Sequence, residues 1–540
     1  MAVAGPGLHG ADTSRSGEAE FTTEEELLLA PYLTNLERPV FALRNLPEVV
    51  KGALFSRYSR TEKSLRRVLL EEFLGAPELG LDDAVPAAQG PVATARAEEF
   101  YERVLVGYGD DSVAELAGAH LAVERVSTLA AKALEDARIG ISPLEKSTRY
   151  VRFDRPGPDG RHLYHRGPEL AHPAYEPAAD NLFAAFSGLL DPVLENLRAE
   201  FPQEPGETDR AWKTATRAKA LDLLRGLLPA ATLTNLGLFG NGRAFEYLVT
   251  KLAASDLAEC RHLAGSMHRE LSEVIPSFVR RALDERYGAP AVRRLQDVAA
   301  DLRRLAPRAP RAEEAVCVRL IEFDPDAVTK IAAAALFPHS DLSLEELRES
   351  GLDAGAVLDA VAGDRANRRH RVPRAFEHAS YTFEIVANFA AYRDLQRHRM
   401  LTQDRQLIGC DLGYDVPPQL EAMGLAGRFR EAKEQAAAAH SRLQRDLGPA
   451  TAQYVVPLGF RMRWYFRVSL REVIHLCELR TTPQGHPDYR HVAQEMFRRV
   501  QEVQPELARY ANFVDMGAGD ELERRQSERR IDEKLRQLGG

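Results

Sequence analysis

The chain contains itself twice. ECRHLAGSMHRELSEVIPSFVRR (259–281) aligns without gaps on DYRHVAQEMFRRVQEVQPELARY (488–510), with Arg261/Arg490, His262/His491, Met267/Met496, Glu273/Glu502, Pro276/Pro505 and Arg280/Arg509 coincident. Upstream, LLPAATLTNLGLFGNGRAFEYL (227–248) lies against VVPLGFRMRWYFRVSLREVIHL (455–476), and in both an Arg follows the Pro by fourteen residues, Pro229 to Arg243 and Pro457 to Arg471. Earlier still, VFALRNLPEVVKGALF (40–55) resembles VRLIEFDPDAVTKIAAAALF (318–337). The three matches keep their order, which reads as duplication. The period is far longer than a solenoid repeat, so the chain is two similar domains rather than an array.

The first repeat spans 36–285 and the second 316–515, joined by a helical, Pro/Arg-rich linker at 286–315. Residues 1–35 read as a flexible tail, and the charged tail 516–540 as a solvated terminal helix. An insertion near 151–180 is rich in Pro, Gly and His; its histidines lack metal-ligand spacing and read as loop residues. Helical spacing of Ala, Leu and Glu predicts helices over 212–228 and 425–448. CVRLIEF (317–323) and SYTFEIV (380–386) predict strands. Each repeat is therefore a helix-rich α+β domain with a small sheet.

A net charge of -9 argues against a general nucleic-acid or anionic-membrane binder. Cys260, Cys317, Cys410 and Cys477 form no CxxC pair, which fits a reducing cytoplasm, with no disulfide framework and no cysteine-based metal site. No apolar run reaches membrane-spanning length, and the N-terminal stretch lacks the basic-then-apolar order of a signal peptide. A cytoplasmic protein without metal is expected.

The stretch VPRAFEHASYTFEIVANFAAYRDLQRHR (372–399), followed by VSLREVIHLCELR (468–480), resembles the flavin-dependent thymidylate synthases. That family carries RHR, then SxRY seven residues on, and later NxRELxxFLxLR. The resemblance covers most of both repeats, and neither copy is intact. In the second, Arg397, His398 and Arg399 keep the triplet, while Leu407 and Gly409 stand where SxRY has Ser and Arg, and Arg405 stands at the preceding acidic position. In the first, the triplet gives way to Glu135, Asp136 and Ala137, yet Glu145, Ser147, Arg149 and Tyr150 keep ExSxRY. Arg225, four residues before Pro229, matches a family arginine that contacts the nucleotide, where the second repeat has Gln453. Arg480 closes the second repeat's motif, where the first has Leu252. The losses are complementary, so one cross-repeat pairing rebuilds a whole pocket and the reciprocal one is dead.

The resemblance implies two tandem α/β domains, each with a mainly antiparallel sheet, joined as a pseudo-dimer, with a homodimer of tandem chains mimicking the family's tetramer. It implies conversion of dUMP to dTMP with FAD, methylenetetrahydrofolate and NADPH. It places dUMP on Arg397, Arg480, Glu145, Ser147, Arg149 and Arg225, with Arg480 activating the uracil ring. It places the flavin on Arg397, His398, Arg399, Ser469, Arg471, His475 and Glu145, with Ser112, Asn241 and Arg243 as further candidates. Ser469 also fits an N-cap with Glu472 at N3, and Asn241 fits a cap too. Asp394 is a departure, at a position usually Gln beside the nucleotide. On an extended segment Ser147 and Arg149 would project together, and Arg397 and Arg399 would share a face with His398 pointing away. The competing readings are a catalytically degenerate flavin- or nucleotide-binding scaffold, and a flavoenzyme acting on a different pyrimidine.

Overall fold

A computed structural model of the protein describes residues 21–58, 61–74, 115–149, 151–307, 309, 312–519, 521–522 and 524–538. It divides into two compact units, residues 1–119, 241–246 and 268–281 in one, and 120–240, 247–267 and 282–540 in the other. In the first unit, Thr22 and Glu25 form a capping box on the helix Thr23–Leu29, and Glu25 accepts from Arg67 at 2.8 Å.

The second unit draws on both repeats. From the first come β1 (Gly118–Ser127) from His120 on, β2 (Ile141–Glu145) and β3 (Leu233–Asn241) up to Gly240, in the order β1-β3-β2. From the second come β4 (Cys317–Phe323), β5 (Ser380–Asn388), β6 (Leu401–Arg405) and β7 (Arg461–Ser469), in the order β4-β5-β7-β6. The triplet β5-β7-β6 repeats β1-β3-β2, with β4 added at the edge. Pairing is antiparallel, from Ile141↔Gly240 to Glu145↔Leu236 and from Ser380↔Ser469 to Asn388↔Arg461. On β7, Met462, Trp464, Phe466 and Val468 face the core while Tyr465 and Arg467 face out, the period of two expected of a half-buried strand. The strands expected at 317–323 and 380–386 are β4 and β5.

Both repeats then start a helix in the same way. Ser127 Oγ accepts from Ala130 N at 2.9 Å at the head of α1 (Thr128–Glu135). Next come the long helices α2 (Tyr175–Glu200) and α3 (Asp209–Leu224). Asn388 Oδ1 accepts from Ala391 N at 2.8 Å at the head of α4 (Phe389–Leu395). Further on lie α5 (Ala426–Leu447), α6 (Leu470–Arg480), α7 (Pro487–Val503) and α8 (Arg525–Leu538). None of the described helices is long and apolar enough to cross a membrane.

The two repeats meet at their Pro segments. Ala230 N donates to Val456 O at 2.8 Å and Leu458 N to Leu228 O at 2.9 Å; Ala231 N donates to Tyr454 O at 2.9 Å and Gly459 N to Gly226 O at 3.0 Å. Exchanging Pro229 for Pro457 turns each bond into its counterpart, so a local two-fold relation runs between the two prolines. Gly459 has no room for a side chain: a Cβ there would meet Gly226 Cα at 3.0 Å.

The terminal helix corrects an expectation. Instead of lying free in solvent, α8 docks its acidic edge on the start of α3, where Arg210 donates to Asp532 at 2.8 Å and to Glu528 at 3.3 Å. Two carboxylates four residues apart face both an arginine and the positive end of a helix dipole. Arg525 adds a bond to Glu204 at 2.8 Å.

Candidate active site

The sequence-predicted residues of the main site lie in the second unit. β2 delivers Glu145, whose side chain is fully buried. Its Oε1 accepts from Arg393 at 2.8 Å; its Oε2 accepts from Lys132 at 2.8 Å and Arg397 at 3.4 Å. Burial works to raise this carboxyl, but Arg393, Lys132 and Arg397 together hold it down to about 2. It is therefore a permanent anion that ties β2 of one repeat to α4 and the RHR turn of the other.

After Glu145 the expected extended segment does not continue. The chain turns, and Ser147 Oγ accepts the Arg149 N–H at 3.2 Å. A serine hydroxyl that bonds the backbone two residues on favours a turn over an extended strand. Ser147 and Arg149 therefore do not project in parallel. Arg149 is aimed instead by Asp222 on α3, which accepts from its Nε at 2.8 Å and also from Nη2, while Nη1 reaches Gln484 O at 3.5 Å. Tyr150 and Ser112 lie outside the described residues.

On the other side, the RHR triplet occupies an irregular turn directly after α4. Arg397 and Arg399 are exposed and His398 is buried, as expected of alternate faces. Arg399 donates to Ser142 Oγ at 3.0 Å. Arg138 of the first repeat fixes the turn by donating to the carbonyls of His398 at 2.7 Å and Leu401 at 3.2 Å.

At the centre is Asp394. Its carboxylate accepts from Arg225 Nη1 at 3.4 Å and faces Arg397, Arg480 and Arg393; burial would raise it, and these four guanidinium groups hold it down to about 2. Arg149 is also within electrostatic reach of Asp394, and Tyr489 faces both Arg149 and Arg480. The Arg480 guanidinium stands 5.7 Å from the Tyr489 ring centroid. The cross-repeat pairing thus brings Arg149 and Arg225 together with Arg397 and Arg480 inside one chain.

Arg480 is held by a chain of hydrogen bonds. Its Nε donates to His398 Nε2 at 3.0 Å, and His398 Nδ1 is 2.7 Å from Glu472 Oε1. A guanidinium only donates, so Nε2 is the acceptor and Nδ1 carries the proton given to Glu472. Burial, with Arg480 and Arg138 nearby, keeps His398 well below its usual range and neutral. Ser469 caps α6 by accepting from Glu472 N at 3.4 Å, but the Glu472 side chain goes to His398 rather than completing a capping box. His475 is half-buried, 5.7 Å from the His398 ring and depressed by burial. His398, Glu472 and His475 place ligand atoms within 4.8 Å of one another. Both His398 nitrogens are already engaged, so a metal would have to break one of these bonds. Arg471 donates to Val372 O at 3.0 Å and Glu377 at 3.3 Å.

The reciprocal pairing is closed by charge. Asp136, in place of the first repeat's triplet, accepts from Arg405 at 2.8 and 2.7 Å, and Arg405 also donates to the Tyr392 hydroxyl at 3.0 Å. Gln453 accepts from Ile408 N at 3.1 Å, and Leu252 is buried. In the first unit, Asn241 accepts from Ala244 N at 2.8 Å as a helix cap, and Arg243 pairs with Glu115 at 3.0 Å on an exposed surface.

Residues 67–277 and 319–506 both match the family model described as thymidylate synthase complementing protein. The chain belongs to that family. The Thy1 match falls once on each repeat, which agrees with the duplicated strand order. A UPF0159 protein of Chlamydia muridarum is 44% identical over 95% of this chain and 99% of its own length, and one of Thermoplasma acidophilum is 33% identical over 86% and 95%. A flavin-dependent thymidylate synthase of Geobacter sulfurreducens is 30% identical over 37% of this chain and 87% of its own. Among solved structures, a UMP/dUMP methylase from Streptomyces cacaoi is similar over 37% of this chain and 97% of its own, at 20% identity and a TM-score of 0.32.

Several residues of this cluster escaped the reading of the sequence: Lys132, Asp222, Arg393 and Tyr489. Asp222 and Arg393 carried a weak signal, three residues before Arg225 and four before Arg397. Lys132 and Tyr489 carried none.

Proposed function

We propose that this protein is a flavin-dependent thymidylate synthase that converts dUMP to dTMP with methylenetetrahydrofolate and NADPH, at one composite site per chain. The carrying observation is the convergence of Arg149 and Arg225 from one repeat with Arg397 and Arg480 from the other around Asp394. The two repeats act as a pseudo-dimer about the Pro229–Pro457 contact, and two such chains would pair as a homodimer.

Arg149 and Arg225 offer planar, charge-assisted donors to the nucleotide phosphate. Arg480, held by His398, would be the fixed positive charge that polarises the uracil ring and stabilises charge that develops there. Arg397 bridges the two half-sites through Glu145. The surrounding donors suit FAD: Arg397 and Arg399 are exposed, and Arg368 and Arg371 face half-buried His475, a cationic array fit for a diphosphate and an electron-rich ring. When bound, FAD would supply the hydride, and the chain would orient it and the pyrimidine.

A second reading, a nucleotide-binding protein without turnover, draws on Asp394, whose carboxylate engages the arginines a phosphate would use. Release of the C5 hydrogen of dUMP, dependent on folate and NADPH, separates the two. Arg149→Ala and Arg480→Ala should each lower that release by about a hundredfold or more, the scale of lost electrostatic stabilisation. Unchanged turnover in Arg149→Ala would sink the composite site.

A further inference from the structure

One cavity of about 290 Å³ lies in the second unit beside the arginine cluster, and among the four converging arginines it is lined by Arg225 alone. It is lined by both repeats, with Lys433, Asn388, Asp415 and Asp488 on one side and Asp222 and Arg225 on the other. Its charges are unevenly satisfied. The three carboxylates all have partners: Asp222 holds Arg149, Asp415 accepts from Arg461 Nε at 3.1 Å, and Asp488 accepts from Asn388 at 2.6 Å. The cations do not. Lys433 Nζ is buried with no hydrogen-bond partner among the described residues, and so are Nε and Nη2 of Arg225.

Lys433 is an anomaly of α5. It interrupts an otherwise largely apolar buried stripe that includes Phe429, Ala432, Ala436 and Leu443, and its side chain is completely enclosed. The ammonium group rests 4.4 Å from the Tyr414 ring centroid, 4.7 Å from Phe429 and 5.3 Å from Phe460. Aromatic faces offset part of the desolvation of a cation but supply no acceptor for its three protons. A buried cation without an acceptor is costly unless a ligand completes it. The N-terminus of α7 opens onto the same cavity through His486 and Pro487, adding the positive end of a helix dipole.

We propose that this cavity binds a compact oxyanion, a phosphate or carboxylate group, between Lys433 Nζ and the free Nε and Nη2 edge of Arg225. Lys433 is then a ligand-binding residue that the family motifs do not contain. The volume accommodates such a group together with a few waters, each of which takes about 30 Å³ in the liquid. Two sources share this chemistry: the phosphate of a nucleotide and the glutamate carboxylate of a folate. The inference does not depend on turnover, because its readout is binding.

The test is calorimetric titration of the full-length protein with inorganic phosphate, comparing wild type with Lys433→Met, which fills the same space without charge. Burial pulls the Lys433 ammonium down to about 7, opposed by Asp415, Asp488 and Cys410 and aided by Arg461. Anion binding at about pH 8 should therefore take up a proton in wild type, seen as a buffer-dependent heat. Lys433→Met should lose that uptake and bind phosphate about tenfold or more weakly, with undiminished thermal stability. A parallel loss for dUMP but not deoxyuridine identifies the nucleotide phosphate as the source. A loss for a folate but not for its pterin lacking glutamate identifies the carboxylate. Equal affinities of wild type and Lys433→Met for phosphate, dUMP and folate overturn the proposal, whether or not the enzyme turns over.

Discussion

Arg480 Nε donates to His398 Nε2 at 3.0 Å, and the far side of the same ring is 2.7 Å from Glu472. The ring thereby transmits the position of a helix-start carboxylate to the guanidinium at the other end of α6. Glu472 faces Arg480 electrostatically, but its side-chain hydrogen bond goes to His398, so it is a positioning residue.

Glu472→Gln keeps the shape but weakens a charge-assisted hydrogen bond by about 1.5 kcal/mol, about tenfold in rate. Steady-state kinetics should show the loss in kcat, with the dUMP dissociation constant little changed. A loss confined to KM would show that Glu472 serves binding instead.

Asp394 is ionised across the working pH range, because its carboxyl titrates near 2. It therefore competes with any phosphate for Arg225 and its neighbours. Asp394→Gln, the residue usual in the family, should tighten dUMP about tenfold, roughly 1.4 kcal/mol. The same change should lower the melting temperature of the ligand-free protein, since the guanidinium groups lose their anion. Calorimetry and thermal melts of one preparation test both halves.

Lys433 gives a pH-dependent stability of defined sign. Its folded pKa near 7 lies below its ordinary 10.5, so the unfolded state binds more protons between those values and stability rises with pH across that window. Lys433→Met removes the penalty. Its stability gain should reach a few kcal/mol near pH 7 and shrink toward pH 10, on the order set by linkage. Denaturant melts at several pH values measure it, and a gain independent of pH would contradict the buried, depressed lysine.

In the reciprocal pairing, Arg405 and Asp136 form a half-buried pair with 19% and 29% side-chain exposure. Arg405→Ala and Asp136→Ala should each destabilise the fold by about 1–3 kcal/mol, and the double variant by less than their sum. Turnover should survive in Arg405→Ala. A strong loss of turnover there would mean that this side also holds a working site.

Much of this was legible in the sequence. The duplicated segments anticipated the repeated strand order, and the alternation in SYTFEIV anticipated β5. Complementary motif losses pointed to Arg149, Arg225, Arg397 and Arg480 as a set. These signals are local, since a strand's period of two, a cap and a motif spacing are written within a few consecutive residues. What the sequence alone determined was the inventory of two half-sites and the elements that carry them.

The partners were decided only by the tertiary structure. Arg225 meets Asp394 across 169 residues, Arg149 meets Asp222 across 73, and Arg393 meets Glu145 across 248. No local pattern says which buried carboxylate a distant guanidinium will find, or that Lys433 Nζ will hydrogen-bond to none among the described residues. The choice is made by packing, when desolvation penalises every charge that lacks a counterpart. For the same reason the docking of α8 could not be read beforehand: it trades an ordinary local preference for a contact that exists only once the chain has folded back on itself. The Ser147–Arg149 turn, by contrast, rests on a local hydroxyl–backbone bond.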